Sequence, residues 1–171
     1  MQVALFCGAV NICMWNVCCC FSTRSRLFTM SYKRPESVLV IIYTKSAQVL
    51  MLERLQPRGF WQSVTGSLLE GELALDAAQR ELEEETGLST KVVATGIENT
   101  FLIADAWRDR YAPDVVENHE TVFAVQVEST DDVRLNSNEH IAQRWLSREE
   151  AAAKASSWTN RDAILGLVPK A

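Results

Sequence analysis

Hydrophobic and polar positions change their spacing several times along the chain, and each change marks an element. Ser37–Tyr43 (SVLVIIY) is a continuous β-rich apolar run of the kind that fills a buried strand. Gln48–Glu53 alternates and reads as its hairpin partner across Thr44–Ala47, after which Pro57-Arg58-Gly59 interrupts the chain. A short strand is predicted at Trp61–Val64 and a loop at Gly66–Gly71. Leu73–Thr86 takes up helical spacing, with Gly87 as its C-terminal stop. Lys91–Ile103 and Glu120–Val127 read as strands joined by a loop containing Tyr111-Ala112-Pro113, and Ala142–Leu146 as another short strand. Ser147-Arg148-Glu149-Glu150 is a capping box opening a helix through Ala155, and Asn160–Val168 is the last helix. Strands and helices mixed without regular βαβ alternation predict an α/β (α+β) fold, a mixed sheet with helices packed on it.

The first thirty residues break this pattern. All five cysteines (Cys7, Cys13, Cys18, Cys19, Cys20) lie there, with Arg24 and Arg26 as the only charges. Residues 3–21 are mostly apolar, yet they barely reach the length of a membrane span and contain Gly8, Asn11 and Asn16. The basic residues follow the apolar run, whereas a secretory signal places them before it. A transit peptide or acylation of the cysteine triplet are alternatives; the expectation is an extension with no role in the fold. The domain is then 31–171, cysteine-free, without a disulfide framework or a thiolate metal site, and expected in the cytoplasm.

The net charge of the 171-residue chain is -5, which gives no general attraction for nucleic acid or an anionic membrane. A phosphate-rich substrate would be repelled by such a protein unless cations sit between them.

The helix 73–86 supplies a place for those cations. Leu75, Ala78 and Leu82 fall at i, i+3 and i+7 and are expected to form its buried stripe. Glu81, Glu84 and Glu85 share another face, while Glu83 points elsewhere. Like charges at this spacing cost a helix about 0.2–0.5 kcal/mol per pair. Arg80 can offset Glu84 as its i−4 partner; the others have no basic residue within a turn. A solvated acidic face is the usual explanation of such a run. Here the run stands at fixed distances from Gly66, Gly71 and Glu72 and is closed by Gly87-Leu88. Clustered carboxylates suit hard cations such as Mg²⁺ or Mn²⁺. His119 and His140 are expected to be surface or hydrogen-bonding residues, with no part in the site.

The pattern Gly66-x5-Glu72-x7-Arg80-Glu81-Leu82-x-Glu84-Glu85-x-Gly87-Leu88 resembles the signature of the Nudix hydrolases at every defined position. The resemblance implies an α/β/α sandwich around a mixed β-sheet and metal-dependent cleavage of phosphoanhydrides. By position, Glu81 and Glu85 resemble the principal metal ligands and Glu84 a further ligand, direct or through water. Glu72 and Arg80 resemble the residues that hold the loop and helix in shape. Gly66 resembles the glycine that lets the backbone turn close to the metal.

A finer resemblance covers nearly all of 31–171. Tyr32-Lys33-Arg34-Pro35, Phe60–Gly66, Arg110–Pro113, Asn138-Glu139-His140 and Ser157–Arg161 look like members of the family that release pyrophosphate from dihydroneopterin triphosphate on the way to folate. It implies Glu139 as an additional metal ligand from outside the signature. It also implies substrate contacts at Lys33, Arg54, Thr65, Phe101, Leu102, Ile103, Ala104 and Ser157. Lys33 and Arg54 suit phosphates. Trp61, Phe101, Trp107, Tyr111 and Trp158 offer planar faces, of which one or two are expected to stack on a ring and the rest to be core. Ser157 and Asn160 are candidates for reading the ring edge. A broader nucleoside triphosphate pyrophosphohydrolase, of the dATP type, is the alternative. A non-catalytic binding module would be expected to have lost glutamates that are present here. The expected partner is a small phosphorylated molecule; the oligomeric state stays open.

Overall fold

The computed structural model describes residues 32–170. The first strand, β1 (Glu36–Thr44), lies parallel to β6 (Glu117–Val127), with Val38 opposite Thr121 and Ile42 opposite Val125. On its other side β1 meets the turn of β2 (Gln48–Arg54) and the short β4 (Val64–Ser67), both antiparallel. β3 (Trp61–Gln62) and β7 (His140–Ser147) add to β2, and β5 (Val93–Leu102) adds to β6, completing a mixed seven-stranded sheet.

Alternation along the strands divides the core in two. Val38, Val40 and Ile42 face one way, where they pack with Ala77, Ala78 and Leu82 of α1 (Ala74–Thr86). Leu39 and Ile41 face the other way, where they pack with α2 (Arg148–Lys154) and α3 (Trp158–Leu167) through Ala151, Ala163 and Ile164. The result is the helix–sheet–helix sandwich that the resemblance implies. Each fully buried Leu, Ile or Val contributes about 1.5–3 kcal/mol relative to exposure.

Several boundaries move, each for a local reason. The strand expected at Trp61–Val64 divides at Ser63, and Gly66 belongs to β4 rather than to a loop, because β4 stays paired to β1 through Ser37–Ser67. Leu73 is extended and precedes the helix. Leu75 is 47% exposed, so it does not belong to the buried stripe. The buried face of α1 is instead Ala77, Ala78, Glu81, Leu82 and Glu85, which places two carboxylates where apolar side chains would ordinarily lie. β6 begins earlier than expected, at Glu117. α3 begins at Trp158, because Ser157 accepts a hydrogen bond from the Asn160 N–H and caps it. A 3-10 turn at Asp105–Arg110 occupies part of the predicted loop. The capping box at Ser147 forms in both halves, and Gly87 closes α1 in the left-handed conformation (φ 69°). The expectations for residues 1–30 lie outside the described residues.

Candidate active site

The N-terminal approach to α1 is tied down by one guanidinium. Arg80 donates from Nε to Glu72 Oε1 (2.8 Å), from Nη2 to Glu72 Oε2 (2.9 Å) and from Nη2 to the Ser67 carbonyl (3.2 Å). Glu72 Oε2 also accepts from the Leu69 N–H at 2.7 Å. The paired Arg80 holds the Glu72 carboxyl down to about 2. Arg80 reaches Glu84 at 3.3 Å, as the spacing suggested, but it also reaches Glu81 at 2.7 Å, so Glu81 does have a basic neighbour.

The three glutamates do not share one environment. Glu81 and Glu85 turn toward the sheet and are buried, 8% and 1% exposed, while Glu84 stays on the exposed surface. Glu84 lines a shallow outer depression with Asp76, Gln79, Arg80 and Glu83. Burial pushes the Glu81 carboxyl up to about 7, against the opposing pull of Arg80. Burial also raises Glu85, which His140 opposes. Glu81 fits beside β4 only because residue 66 is glycine: a Cβ there would lie 1.8 Å from the Glu81 Cδ.

Glu139 arrives from a segment stitched to the end of α1. The Arg134 N–H donates to the Thr86 carbonyl (2.8 Å) and the Asn136 N–H to the Glu85 carbonyl (3.1 Å), while Leu55 N–H donates to the Glu139 carbonyl (2.7 Å). These bonds bring one ligand atom each from Glu85, Glu139 and His140 within 4.8 Å of one another. His140 is 1% exposed, and its Nε2 lies 3.0 Å from Glu85 Oε2. The expectation that histidine plays no part here is therefore wrong for His140, because its place at the start of β7 points it inward beside Glu85. His119 is exposed, and its ring Nδ1 lies 3.0 Å from Thr100 Oγ1.

The donor set fits a hard divalent cation. Two buried carboxylates, with Glu139 at the rim, crowd acidic oxygens beside a guanidinium that Glu72 already pairs, and oxygen ligands suit such ions.

A cleft of ≈ 760 Å³ opens beside this cluster, with Glu81 and Glu139 in its wall. Lys33, Arg54 and Thr65, all expected to contact substrate, line it, as do Phe101, Leu102, Ile103, Ala104 and Ser157. Arg110 joins them; sequence reasoning noted it only within a matching segment. Partial desolvation and then Arg110 lower the Lys33 ammonium below its ordinary value. Of the planar side chains, Phe101, Trp107, Tyr111 and Trp158 line the cleft, and Phe60 braces Trp107 edge-on at 5.6 Å. Trp61 does not line it. That ring is buried in the core beneath α2, with the Lys154 ammonium 4.2 Å from its centre.

Ser157 and Asn160 reach the cleft wall with their polar groups already engaged. Asn160 Oδ1 accepts from the Ser63 N–H (2.7 Å), and its Nδ2 donates to Ser157 Oγ (3.0 Å). Two buried residues that sequence reasoning missed, Asn118 and Glu120, line the same wall. Glu117–Thr121 is an unbroken polar run, so nothing in the sequence marks which of its side chains turn inward.

A family profile described as NUDIX domain matches residues 33–165. The chain is 42% identical over 139 residues to the dihydroneopterin triphosphate diphosphatase of Escherichia coli K12, covering 78% of this chain and 91% of that protein. It is 37% identical over 141 residues to the protein of the same name from Haemophilus influenzae, covering 79% and 88%. The solved structure of the E. coli dihydroneopterin triphosphate pyrophosphohydrolase superposes with a TM-score of 0.76 at 40% identity, covering 80% of this chain and 97% of that one.

Proposed function

Because the chain belongs to the Nudix family of hydrolases, we propose that it converts dihydroneopterin triphosphate to dihydroneopterin monophosphate and pyrophosphate, a step toward folate. The observation that carries this reading is the continuity of the cleft. Carboxylates, basic side chains, aromatic faces and buried polar groups line the same cleft. A triphosphate attached to a flat, polar-edged ring needs both.

Glu81, Glu85 and Glu139 would hold Mg²⁺, or Mn²⁺ in its place, with Glu84 contributing from the exposed side. When bound, the cation supplies charge stabilisation and activation of water. The remaining work falls to the chain itself. Lys33, Arg54 and Arg110 bind the phosphate oxygens, which concentrates positive charge where the leaving pyrophosphate develops negative charge. His140 fixes the rotamer of Glu85 through the 3.0 Å contact, and Arg80 fixes Glu81. Phe101, Trp107 and Tyr111 offer the ring an apolar slot.

The test is kcat/KM measured side by side on dihydroneopterin triphosphate, dATP and ADP-ribose with Mg²⁺, with pyrophosphate and orthophosphate assayed separately. The expected result is the highest value for the pterin substrate, with pyrophosphate released. Preference for dATP, or orthophosphate alone, would overturn the assignment.

A further inference from the structure

One wall of the cleft carries acceptors that the protein leaves short of donors. Asn118 and Glu120 project from the same side of β6, two residues apart, and are 3% and 5% exposed. Asn118 Nδ2 donates to Ser37 Oγ at 2.7 Å, whereas its Oδ1 is buried without a partner. Glu120 Oε1 accepts from Asn99 Nδ2 at 3.1 Å across the β5–β6 pair, and the nearby Thr159 hydroxyl weakly favours its charged form. No charged partner stands against it among the described residues, and burial raises its carboxyl above the ordinary range.

A buried carboxylate served only by neutral donors is costly, and so is a buried carbonyl oxygen with none. Both residues line a cleft large enough for a ring; Asn118 Oδ1 is sealed off, and what the Glu120 carboxylate needs from a ligand is N–H donors. A carboxylate pairs best with two parallel donors. A 2-amino-4-oxopyrimidine ring presents that pair, a ring N–H beside an exocyclic amino group. Pterins and guanine share this edge. Adenine lacks it, because the ring nitrogen beside its amino group is an acceptor.

We propose that Glu120 is the specificity-determining residue of this cleft and reads the paired N–H and amino donors of a 2-amino-4-oxopyrimidine ring. This rests on the substrate reading above and extends it from the phosphate chain to the ring. The carboxylate takes the two parallel donors. Selection against adenine then follows from placing an acceptor against acceptors.

The test is Glu120→Gln in the Mg²⁺-loaded enzyme, with kcat/KM measured on dihydroneopterin triphosphate, dGTP and dATP. A carboxamide offers one acceptor and turns its own donor against the ring. The ratio of the pterin to the dATP value should fall at least about ten-fold, and that of dGTP to dATP should fall with it. An unchanged ratio would overturn the proposal. Should the variant fold poorly, the wild-type enzyme serves: guanosine should inhibit pterin hydrolysis at least about ten times better than inosine, which lacks only the amino group. Equal inhibition by the two would sink the idea. The substrate reading is judged separately, by whether the wild type prefers dihydroneopterin triphosphate to dATP.

Discussion

Glu85 and Glu120 are both buried glutamates beside the same cleft, and their surroundings are opposite. Glu85 sits on α1 with a second carboxylate, Glu139, brought within ligand distance and an imidazole against its Oε2. Glu120 sits on a strand with an amide and a hydroxyl, and no other charge. Burial raises both carboxyls. The difference lies in what could relieve that cost. Crowded negative charge calls for a cation; a lone carboxylate among neutral donors calls for a neutral ligand bearing N–H groups. One cleft thus holds a reaction end and a recognition end, told apart by the company each acid keeps.

The largest effect should come from the reaction end. Glu85→Gln is nearly isosteric and removes a buried charge, so the fold should survive with an unchanged or higher Tm. Turnover should fall about a thousand-fold, roughly 4 kcal/mol of barrier, because a neutral oxygen is a poorer ligand for a hard cation. Single-turnover kinetics across a Mg²⁺ titration, with circular dichroism as the fold control, would check it. Normal activity in this variant would remove Glu85 from metal binding and erase the contrast with Glu120. Chelation of the wild type should reproduce the loss, and added Mg²⁺ should reverse it.

A middle-sized effect should come from Gly66. An added Cβ would collide with the far end of the Glu81 side chain at 1.8 Å rather than with backbone. Glu81 can swing aside at little cost to folding, but it then leaves its place at the cluster. Gly66→Ala should lower kcat/KM about a hundred-fold with a small change in Tm. A large drop in Tm with proportionate loss of activity would show that the glycine serves packing instead.

How far the two ends were legible in the sequence follows from how each is built. The reaction end is mostly local: Gly66, Glu72, Arg80, Glu81 and Glu85 meet through helical geometry and one adjoining turn, so fixed spacing exposes them. Even there, spacing alone did not separate buried Glu81 and Glu85 from exposed Glu84, because the helix's orientation on the sheet decides that. His140 escaped because its contact with Glu85 depends on backbone bonds from Arg134 and Asn136 to the end of α1. The recognition end is non-local throughout. Ser37, Asn99, Asn118, Glu120 and Thr159 come together only when β1, β5, β6 and α3 assemble, and the unbroken polar run Glu117–Thr121 shows neither which side chains turn inward nor what they meet.

The clamp between loop and helix offers a pH test. The Glu72 carboxyl is depressed in the fold to about 2 from an ordinary 4.5, chiefly by Arg80. A depressed acid contributes stability that is present above its unfolded value and is lost as pH falls through the folded one. Stability should therefore decline between about pH 4.5 and 2, and Glu72→Gln should flatten that part of the profile relative to wild type. Parallel profiles for the two proteins in acid denaturation would show that the pair is not a linkage site.

The smallest effect should come from outside the cleft altogether, and it calibrates the others. Ser147 ends β7 and caps α2: its Oγ accepts from the Glu150 N–H at 3.3 Å, and Glu150 Oε2 accepts in return from the Ser147 N–H at 3.1 Å. Neither residue lines the cleft. Ser147→Ala removes one of these reciprocal bonds and leaves a helix N–H without its side-chain acceptor. The expected cost is about 1 kcal/mol, a fall of roughly 3 °C in Tm for a domain of this size. Because α2 packs on the sheet face opposite α1, a loss confined to stability should leave kcat/KM for every substrate where it was. That makes the variant the reference for a purely structural change. If Ser147→Ala also shifted the ratio of pterin to dATP turnover, general destabilisation would suffice to alter selectivity, and the distinction between a reaction end and a recognition end would lose its support.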